Sequence, residues 1–470
     1  MAGPTAPREY IRFELVDFNG RALSKTVPGR HRHGKVCIYS GCLGAGANSE
    51  VLTFPEEVKA AGCPNATLLP DWKTEQELPW ACRPERNISV KRVYCAMTSV
   101  EDSPSLNEAL PRTVCARLLQ ELKAFGGQGL EVLAGGELEF AMAKPTSSGE
   151  DWEPLFSGVD IFVTLQNCKA MDFCYEVERC MEPVGVDILT INAEYGAGQV
   201  EITFAPKLGL EAADMVATFR NGVKEMAQQQ GLRACFMGKP FSADGPGNGG
   251  HFNFSLWAGG DGRPVPLEEA DPVLRVSGSR TNVFHSTADV NGLSNTARAF
   301  LAGMLAHARA MEAICSPTPS CYGRHGKWAP DVASWGLDDR NAYVRVKASR
   351  TGRPTGCYFE LRAPSAAANP YLVMAATIAA GLDGLERGLE LPTAVQSREG
   401  GVPLPANLSE ALDALEEDVW LVHKLGPAFV RCFVQVKRGE LAAIEERLSA
   451  TGRSKADVCK AWQHMYMEFI

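Results

Sequence analysis

Residues 135–140 read GGELEF and carry Glu137 and Glu139 two positions apart, behind the run LEVLA at 130–134. Side chains alternate across a strand, so both carboxylates fall on one face and Leu138 and Phe140 on the other. Four further segments repeat the arrangement. GQVEITF sets Gln199 and Glu201 against Val200, Ile202 and Phe204, and GGHFNFSLW sets His251, Asn253 and Ser255 against Phe252, Phe254 and Leu256. AYVRVK sets Arg345 opposite Val344 and Val346, and YFELRAP pairs Glu360 with Arg362 against Phe359 and Leu361. One polar strand face alone is most often solvated. A solvated face usually mixes Lys, Thr and Ser, whereas these carry mainly Glu, His, Asn and Arg.

Neighbouring carboxylates without counterions repel, so the pattern asks for cations. Glu and His ligands suit a hard or borderline divalent ion, and the excess of carboxylates favours Mg2+ or Mn2+. Arginines suit planar carboxylates and phosphates. Metals, phosphate and a carboxylate substrate together point to phosphoryl transfer or an ATP-driven ligation. GxxxxGK[ST] does not occur, and neither GCLGAG at 41–46 nor GPGNGG at 245–250 lies in the strand–helix setting of a dinucleotide fingerprint. A nucleotide must therefore be held without a phosphate loop.

These faces need elements to carry them. Between residues 10 and 110, β-like runs (YIRFELVDF, KVCIYS, ISVKRVYCAM) alternate with Pro and Gly breaks. From Pro111 the texture changes to helices mixed with short strands. RTVCARLLQELKAF, AADMVATFRNGVKEMAQQQ and ARAFLAGMLAHARAMEAI have helical period, as does the tail from about Leu408 (EALDALEEDVWLVHKL, GELAAIEERLSA). The apolar run Tyr371–Leu382 is shorter than the ~20 residues a membrane span needs. It reads as a buried core helix with Asn369 as N-cap and Pro370 in its first turn. The pattern suggests a small, mostly β domain up to a boundary near residues 103–112 and, beyond it, a larger region in which helices and short strands mix.

The chain has 470 residues, 45% hydrophobic and 22% charged, with net charge −9. That balance, without a basic block, argues against nucleic acid or an anionic membrane as partner. Fifteen cysteines show no CxxC spacing, and MAGPTAPREY has neither a basic nor an apolar leader region. Reduced thiols and a cytoplasmic location are expected. His31, His33, His285, His307, His423 and His464 read as surface or packing residues.

In this order, the segments resemble the glutamine synthetase superfamily. GGELEF is similar to its GxExEF strand, AEYGAGQVEITF to its E…PGQxE segment and GNGGHFNFSLW to its Gly-rich NGSGMHxH/N stretch. WGLDDRNAYVRV is similar to WG-x-(D)NR…xR, and YFELRAPSAAANPYL to the ExR-xP…NPYL ending. Each alone is unspecific; five in register are specific. The resemblance implies an α+β fold with an N-terminal β-grasp domain over 1–110 and a C-terminal catalytic domain over 111–470, whose curved antiparallel sheet forms a funnel ringed by helices. It implies homo-oligomers, commonly dodecamers of two stacked rings. It also implies ATP and two Mg2+ or Mn2+ ions per subunit. Glu139, Glu194 and Glu201 would hold one ion, and Glu137, His251 and Glu360 the other. Arg340 and Arg345 would contact ATP phosphates, with Asn253 and Ser255 toward the nucleotide. Arg324 and Arg362 would bind the glutamate carboxylates beside Gly247 and His251. On this view Glu137 and Glu139 serve different ions, and Arg324, Arg340 and the residue at 328 belong to the catalytic group.

Three departures fall on the ammonium and amino-acid side. CYGRHGKWAPD replaces the family's flap, so Trp328 stands where a glutamate shields the site and helps deprotonate ammonium. Pro246 replaces the Asn that opens NGSGM, and the segment supplying an ammonium-binding Asp is not recognisable in GCLGAGANSEV. An aromatic residue before AP also occurs in members resembling γ-glutamyl-amine ligases. AAANPYLVMAATIAAGLDGLERGLEL resembles lengsin-type members, regarded as non-catalytic oligomers with a structural or chaperone role at the cytoskeleton, intermediate filaments included. Two expectations follow: a ligase joining glutamate to ammonia or an amine, or a lengsin-like assembly protein.

Overall fold

The computed structural model describes residues 8–53, 56–60, 62–98, 105–149, 151–158, 160–259, 280–348, 356–394 and 401–470. The N-terminal sheet runs in the order Ala22–Pro28, Arg8–Val16, Ile88–Met97, Asn65–Pro70, Cys37–Tyr39, with Gln76–Glu77 also on Ile88–Met97. Arg8–Val16 pairs parallel with Ile88–Met97 and antiparallel with Ala22–Pro28, a pattern compatible with the expected β-grasp. Ile11, Phe13 and Leu15 alternate into its core.

The larger sheet follows the order Trp335–Leu337, Val344–Lys347, Tyr358–Leu361, Gly250–Ala258, Glu131–Pro145, Gln199–Phe204, Ile188–Ala193. All neighbours are antiparallel except the first pair. One face is apolar: Leu138, Phe140, Val200, Ile202, Phe254, Val344, Val346, Phe359 and Leu361 are all buried. The other face carries the polar residues singled out above. Against the apolar side lies the Pro370–Arg387 helix, capped as expected by the Asn369 side chain accepting from Tyr371 N. Its Gly381 and Gly384 let the Asn295–Ala306 helix approach; a Cβ at Gly384 would collide with the Ala299 carbonyl, and one at Gly381 with the Phe300 ring.

Two helical stretches that read as continuous are broken. ARAFLAGMLAHARAMEAI divides into Asn295–Ala306 and Ala308–Cys315 at His307, and EALDALEEDVWLVHKL into Leu408–Glu417 and Val419–Leu425 at Asp418. The fifteen cysteines are all free thiols. Among the described residues no helix is long and apolar enough to cross a membrane.

The N-terminal sheet docks on the rest through charged and apolar contacts. Phe18 stacks edge-on with Phe429 and Phe433 at 5.9 and 6.2 Å. Arg12 pairs with Glu225 at 2.7 Å, Arg92 donates to Thr218 at 2.7 Å, and Lys437 and Glu440, both fully buried, meet Asn19.

Candidate active site

Strand register assembles the polar face. Glu139 stands opposite Glu201, and Glu137 opposite both Thr203 and His251. Asn253 stands opposite Glu360, which stands opposite Arg345. Directly opposed positions in antiparallel strands have Cβ atoms ~4.5–5.5 Å apart. Residues more than 200 positions apart in sequence therefore share one surface.

One ligand atom each from Glu137, His251 and Glu360 lies within 4.8 Å of the others. His251 Nδ1 is 3.3 Å from Glu137 Oε2 and 3.5 Å from Glu360 Oε1, and Asn253 Nδ2 donates to Glu137 Oε1 at 2.9 Å. Burial opposes ionisation of Glu137, but the His251 ring, the Asn253 amide and the Arg362 charge outweigh it and bring its pKa to about 2. Glu360 is 3% exposed and is flanked by two guanidiniums: Arg345 Nη1 at 2.9 Å and Arg362 Nη1. Two carboxylates and an imidazole form the donor set that suits Mg2+ or Mn2+.

The second expected group is looser. Glu139 accepts from Gln199 Nε2 at 2.7 Å and from Gly249 N at 2.8 Å. Burial first, then the charge of Glu139, raises Glu194 to about 7; burial, then Glu139, Glu137 and Glu194, raises Glu201 to about 8. These carboxylates repel one another across a partly dry surface. A divalent cation between them would relieve that repulsion, so the donor chemistry fits the expected ion. Gln199, named above only for its strand face, is a hub: Oε1 accepts from Gly196 N at 2.7 Å, and Nε2 reaches Glu139, the Gly247 carbonyl and Asn248 Oδ1. Its position two residues before Glu201 on the same face was the available signal.

The arginines divide into occupied and free. Arg362 is 4% exposed and spends its donors on the Arg340 carbonyl at 2.7 Å, on Glu360, and on the Trp328 carbonyl at 3.5 Å. Arg345 bridges Glu360 and Asp338, whose carboxylate also takes Lys347. Arg324 is 5% exposed, and among the described residues its hydrogen bonds go only to the carbonyls of Ala363 and Pro364, both at 3.4 Å. Burial lowers its pKa. A Cβ at Gly249 would stand 3.1 Å from Glu139 Oε1 and 3.3 Å from both Arg324 Nη2 and His251 Nε2, so these three side chains face one point. Gly247 lies against Arg324 too, and a Cβ there would meet Arg324 Cγ at 2.9 Å and collide with the Gly238 carbonyl.

Arg340 is exposed, and its charge acts on Glu194. Ser255 is buried and accepts from Trp257 Nε1 at 2.8 Å, whereas Asn253 Oδ1 is buried without a partner among the described residues. Trp328 is 66% exposed and lies parallel to Tyr195, ring centroids 6.4 Å apart and planes 8° from parallel. Nothing in the sequence pairs these two rings, which are separated by 132 residues (195 to 328).

The sequence profile described as "Glutamine synthetase, catalytic domain" matches residues 108–455. Human lengsin is 31% identical over 457 residues, covering 92% of this chain and 80% of that protein. A glutamine synthetase of Methanocaldococcus jannaschii is 33% identical over 387 residues, covering 79% of this chain and 78% of that protein. Among solved structures, one titled "Crystal structure of novel glutamine synthase homolog" superposes with TM-score 0.78 at 24% identity, covering 99% of this chain and 100% of that one. "Apo GmaS without ligand" superposes with TM-score 0.75 at 26% identity and 94% coverage of each chain.

Proposed function

Because the chain belongs to the glutamine synthetase family, we propose that it is an ATP-dependent γ-glutamyl ligase joining glutamate to ammonia or an amine. The observation that carries the reading is the Glu137–His251–Glu360 group with Arg345 and Arg362 packed against it. Catalytic furniture of this kind is expensive in a merely structural protein, since carboxylates and guanidiniums buried together must satisfy one another closely.

Glu137, His251 and Glu360 would hold one Mg2+ or Mn2+, and Glu139, Glu194 and Glu201 a second. Bound there, the ions supply charge neutralisation to the transferring phosphoryl group. Arg345 and Arg340 would contact ATP phosphates, and the unpartnered Asn253 Oδ1 offers an acceptor toward the nucleotide, with Ser255 behind it. Arg324, buried and held among the described residues only by two long contacts to carbonyls, is the guanidinium best able to take a glutamate carboxylate, beside the Gly247 turn. Arg362, with its donors already engaged, would act mainly by fixing Glu360 and the Trp328 backbone. The chemistry is that of the family: the γ-carboxylate attacks the ATP γ-phosphate, ADP leaves, and the amine nitrogen then displaces phosphate from γ-glutamyl phosphate. Fixed cations and carboxylates contribute orientation and electrostatic stabilisation.

The reading includes domains at 1–110 and 111–470, a cytoplasmic location and a ring-shaped homo-oligomer. A second reading, a lengsin-like non-catalytic assembly protein that could engage intermediate filaments, is favoured by one observation: Trp328 offers no base where the family's flap has a carboxylate. Phosphate release with ATP, glutamate and a panel of amines, measured beside Mn2+ calorimetry, separates the two. The ligase reading expects two Mn2+ per subunit and turnover that Glu360→Gln abolishes. No Mn2+ binding and no phosphate release with any amine would leave the lengsin-like reading.

A further inference from the structure

We propose that Asp338 fills, as an internal counterion, a phosphate site formed by Arg345 and Lys347, and that a nucleotide gains these two cations only by displacing it. The inference rests on the ligase reading above and adds to it a further binding residue, Lys347, and a built-in competitor. Arg345 and Lys347 lie two positions apart on the strand Val344–Lys347, so both side chains share the polar face of the larger sheet. Arg345 stands opposite Glu360, which stands opposite Asn253, and Lys347 stands opposite Tyr358. Lys347 thus lies one row beyond Arg345, toward the end of the sheet that carries Ser255.

A single oxygen takes both cations. Asp338 Oδ1 accepts from Arg345 Nε at 3.2 Å, from Arg345 Nη2 at 2.7 Å and from Lys347 Nζ at 2.6 Å. A guanidinium fork and an ammonium converging on one anionic oxygen form the donor set that grips a phosphate. The Nε–Nη2 edge of Arg345 is therefore taken, while its Nη1 donates to Glu360 Oε2 at 2.9 Å. Glu360 is 3% exposed and is also held by Arg362, so it is the fixed partner. Asp338 is the movable one. Its side chain is 43% exposed, against 12% for Arg345 and 26% for Lys347.

The backbone beneath Asp338 is fixed. It follows the strand Trp335–Leu337 in the left-handed region, φ 58°, and its N–H donates to the Val346 carbonyl at 3.0 Å. Only the carboxylate has to swing, and beside it opens a hollow of about 450 Å3 that it lines with Ser286, Thr287 and Asn291. The Lys347 contact, against a small burial penalty, and then the Arg345 contact hold the Asp338 pKa at about 2, so the competitor is an anion throughout the neutral range.

Exchange of one anion for another sets the affinity. Water screens an exposed carboxylate on two cations, so each of its contacts contributes little. A polyphosphate brings more charge and more acceptor oxygens to the same donors. It displaces Asp338, but its affinity is lowered by the contacts it has to break. Had Asp338 served only to aim Arg345, losing its charge would weaken phosphate binding. As a competitor, losing its charge strengthens it. The two roles predict opposite signs.

The test titrates the full-length chain with MgATP and with magnesium tripolyphosphate by calorimetry, and measures phosphate release from ATP with glutamate and the amine panel in parallel. Asp338→Asn keeps the side-chain size and tolerates the left-handed backbone; it is expected to tighten both ligands at least about threefold, as removal of a screened charge from two cations implies. Lys347→Met is expected to weaken both about fivefold or more, through loss of a charge-assisted hydrogen bond to phosphate. Lys347→Arg, which keeps the charge, should stay within about threefold of wild type. Far-UV circular dichroism matching wild type shows that each variant is folded. Weaker or unchanged binding in Asp338→Asn overturns the proposal, as does unchanged binding in Lys347→Met. So does the absence of ATP and tripolyphosphate binding in wild type and Asp338→Asn alike. Tripolyphosphate binding that responds to both substitutions, with no binding or turnover of ATP, upholds the anion site and removes the ligase reading. Phosphate release from ATP with affinities that neither substitution changes does the reverse.

Discussion

His307 Nδ1 stands 2.6 Å from Asp418 Oδ2, and its Nε2 stands 3.0 Å from Oδ2 of the buried Asp383. One imidazole thus joins the break between Asn295–Ala306 and Ala308–Cys315 to the break between Leu408–Glu417 and Val419–Leu425, and both to the Pro370–Arg387 helix. Burial pushes the His307 pKa down, but hydrogen bonds and charge from Asp418 and then Asp383 outweigh it, and the net shift is upward. A His whose folded pKa is raised contributes stability that is fully present below its unfolded value, ~6.5, and is lost as pH rises through the folded value.

Thermal unfolding should therefore show a wild-type advantage over His307→Gln that is largest below pH 6.5 and shrinks toward alkaline pH. Comparing the two proteins cancels the other titrating groups. A difference between wild type and variant that stays constant from pH 5.5 to 9 would contradict the charged pairing.

Glu440 ties the N-terminal sheet to the Pro427–Thr451 helix. Its Oε1 accepts from Asn19 Nδ2 at 2.9 Å and from Ala47 N at 2.8 Å; its Oε2 accepts from Lys437 Nζ at 3.0 Å and from Tyr466 OH at 3.1 Å. Both charged partners are fully buried. Removing one member of such a pair strands the other charge, at a cost of about 3–5 kcal/mol. Glu440→Gln should cost that much in denaturant unfolding, and adding Lys437→Met should recover part of it. A Glu440→Gln protein as stable as wild type would mean that Lys437 finds water or another partner.

The fold was legible wherever local pattern and burial agree. Alternation in GGELEF, GQVEITF and GGHFNFSLW assigned Glu137, Glu139, Glu201, His251 and Asn253 to one face, and the register joins those faces. The Asn369–Pro370 start of the buried helix was equally plain, because capping is a local interaction. The breaks at His307 and Asp418 were not legible. Ala, Leu and Glu around them have helical preference, and the stop is fixed by an ion pair between residues 111 positions apart. His307, read as surface or packing, is a buried residue, and what its neighbours in sequence did not show is its pairing with Asp418 and Asp383. The partners of Arg362 were not legible either, because its contacts with Glu360 and with the carbonyls of Arg340 and Trp328 come from tertiary packing.

That contrast between arginines is measurable. Arg324→Met should raise the KM for glutamate by about 10–100-fold, the loss expected for charge-assisted hydrogen bonds of about 1.5–3 kcal/mol. Mn2+ binding should stay within about twofold, because Arg324 touches none of the Glu137–His251–Glu360 group. Arg362→Met should weaken Mn2+ binding as well, since Glu360 loses a partner that holds it. Equal effects of both variants on both quantities would dissolve the distinction.

The sharpest expectation concerns Trp328→Glu. The ammonium ion has one productive partner type, a carboxylate that attracts it and accepts its proton before the nitrogen can attack. The indole at this position can attract a cation to its ring face but accepts no proton. Wild-type phosphate release driven by ammonium chloride should therefore be weak at neutral pH. A positioned general base contributes typically ~10²–10⁴-fold, and a glutamate placed at this position by single substitution should recover a fraction of that, at least about tenfold. The same change removes one aromatic face and should lower release driven by n-butylamine. Opposite movements of the two activities are the expected result, measured as initial rates at saturating ATP and glutamate. If the wild type already makes glutamine from ammonium at a rate the variant cannot exceed, the base lies elsewhere, and the turn that carries Trp328 has no part in choosing the nitrogen substrate.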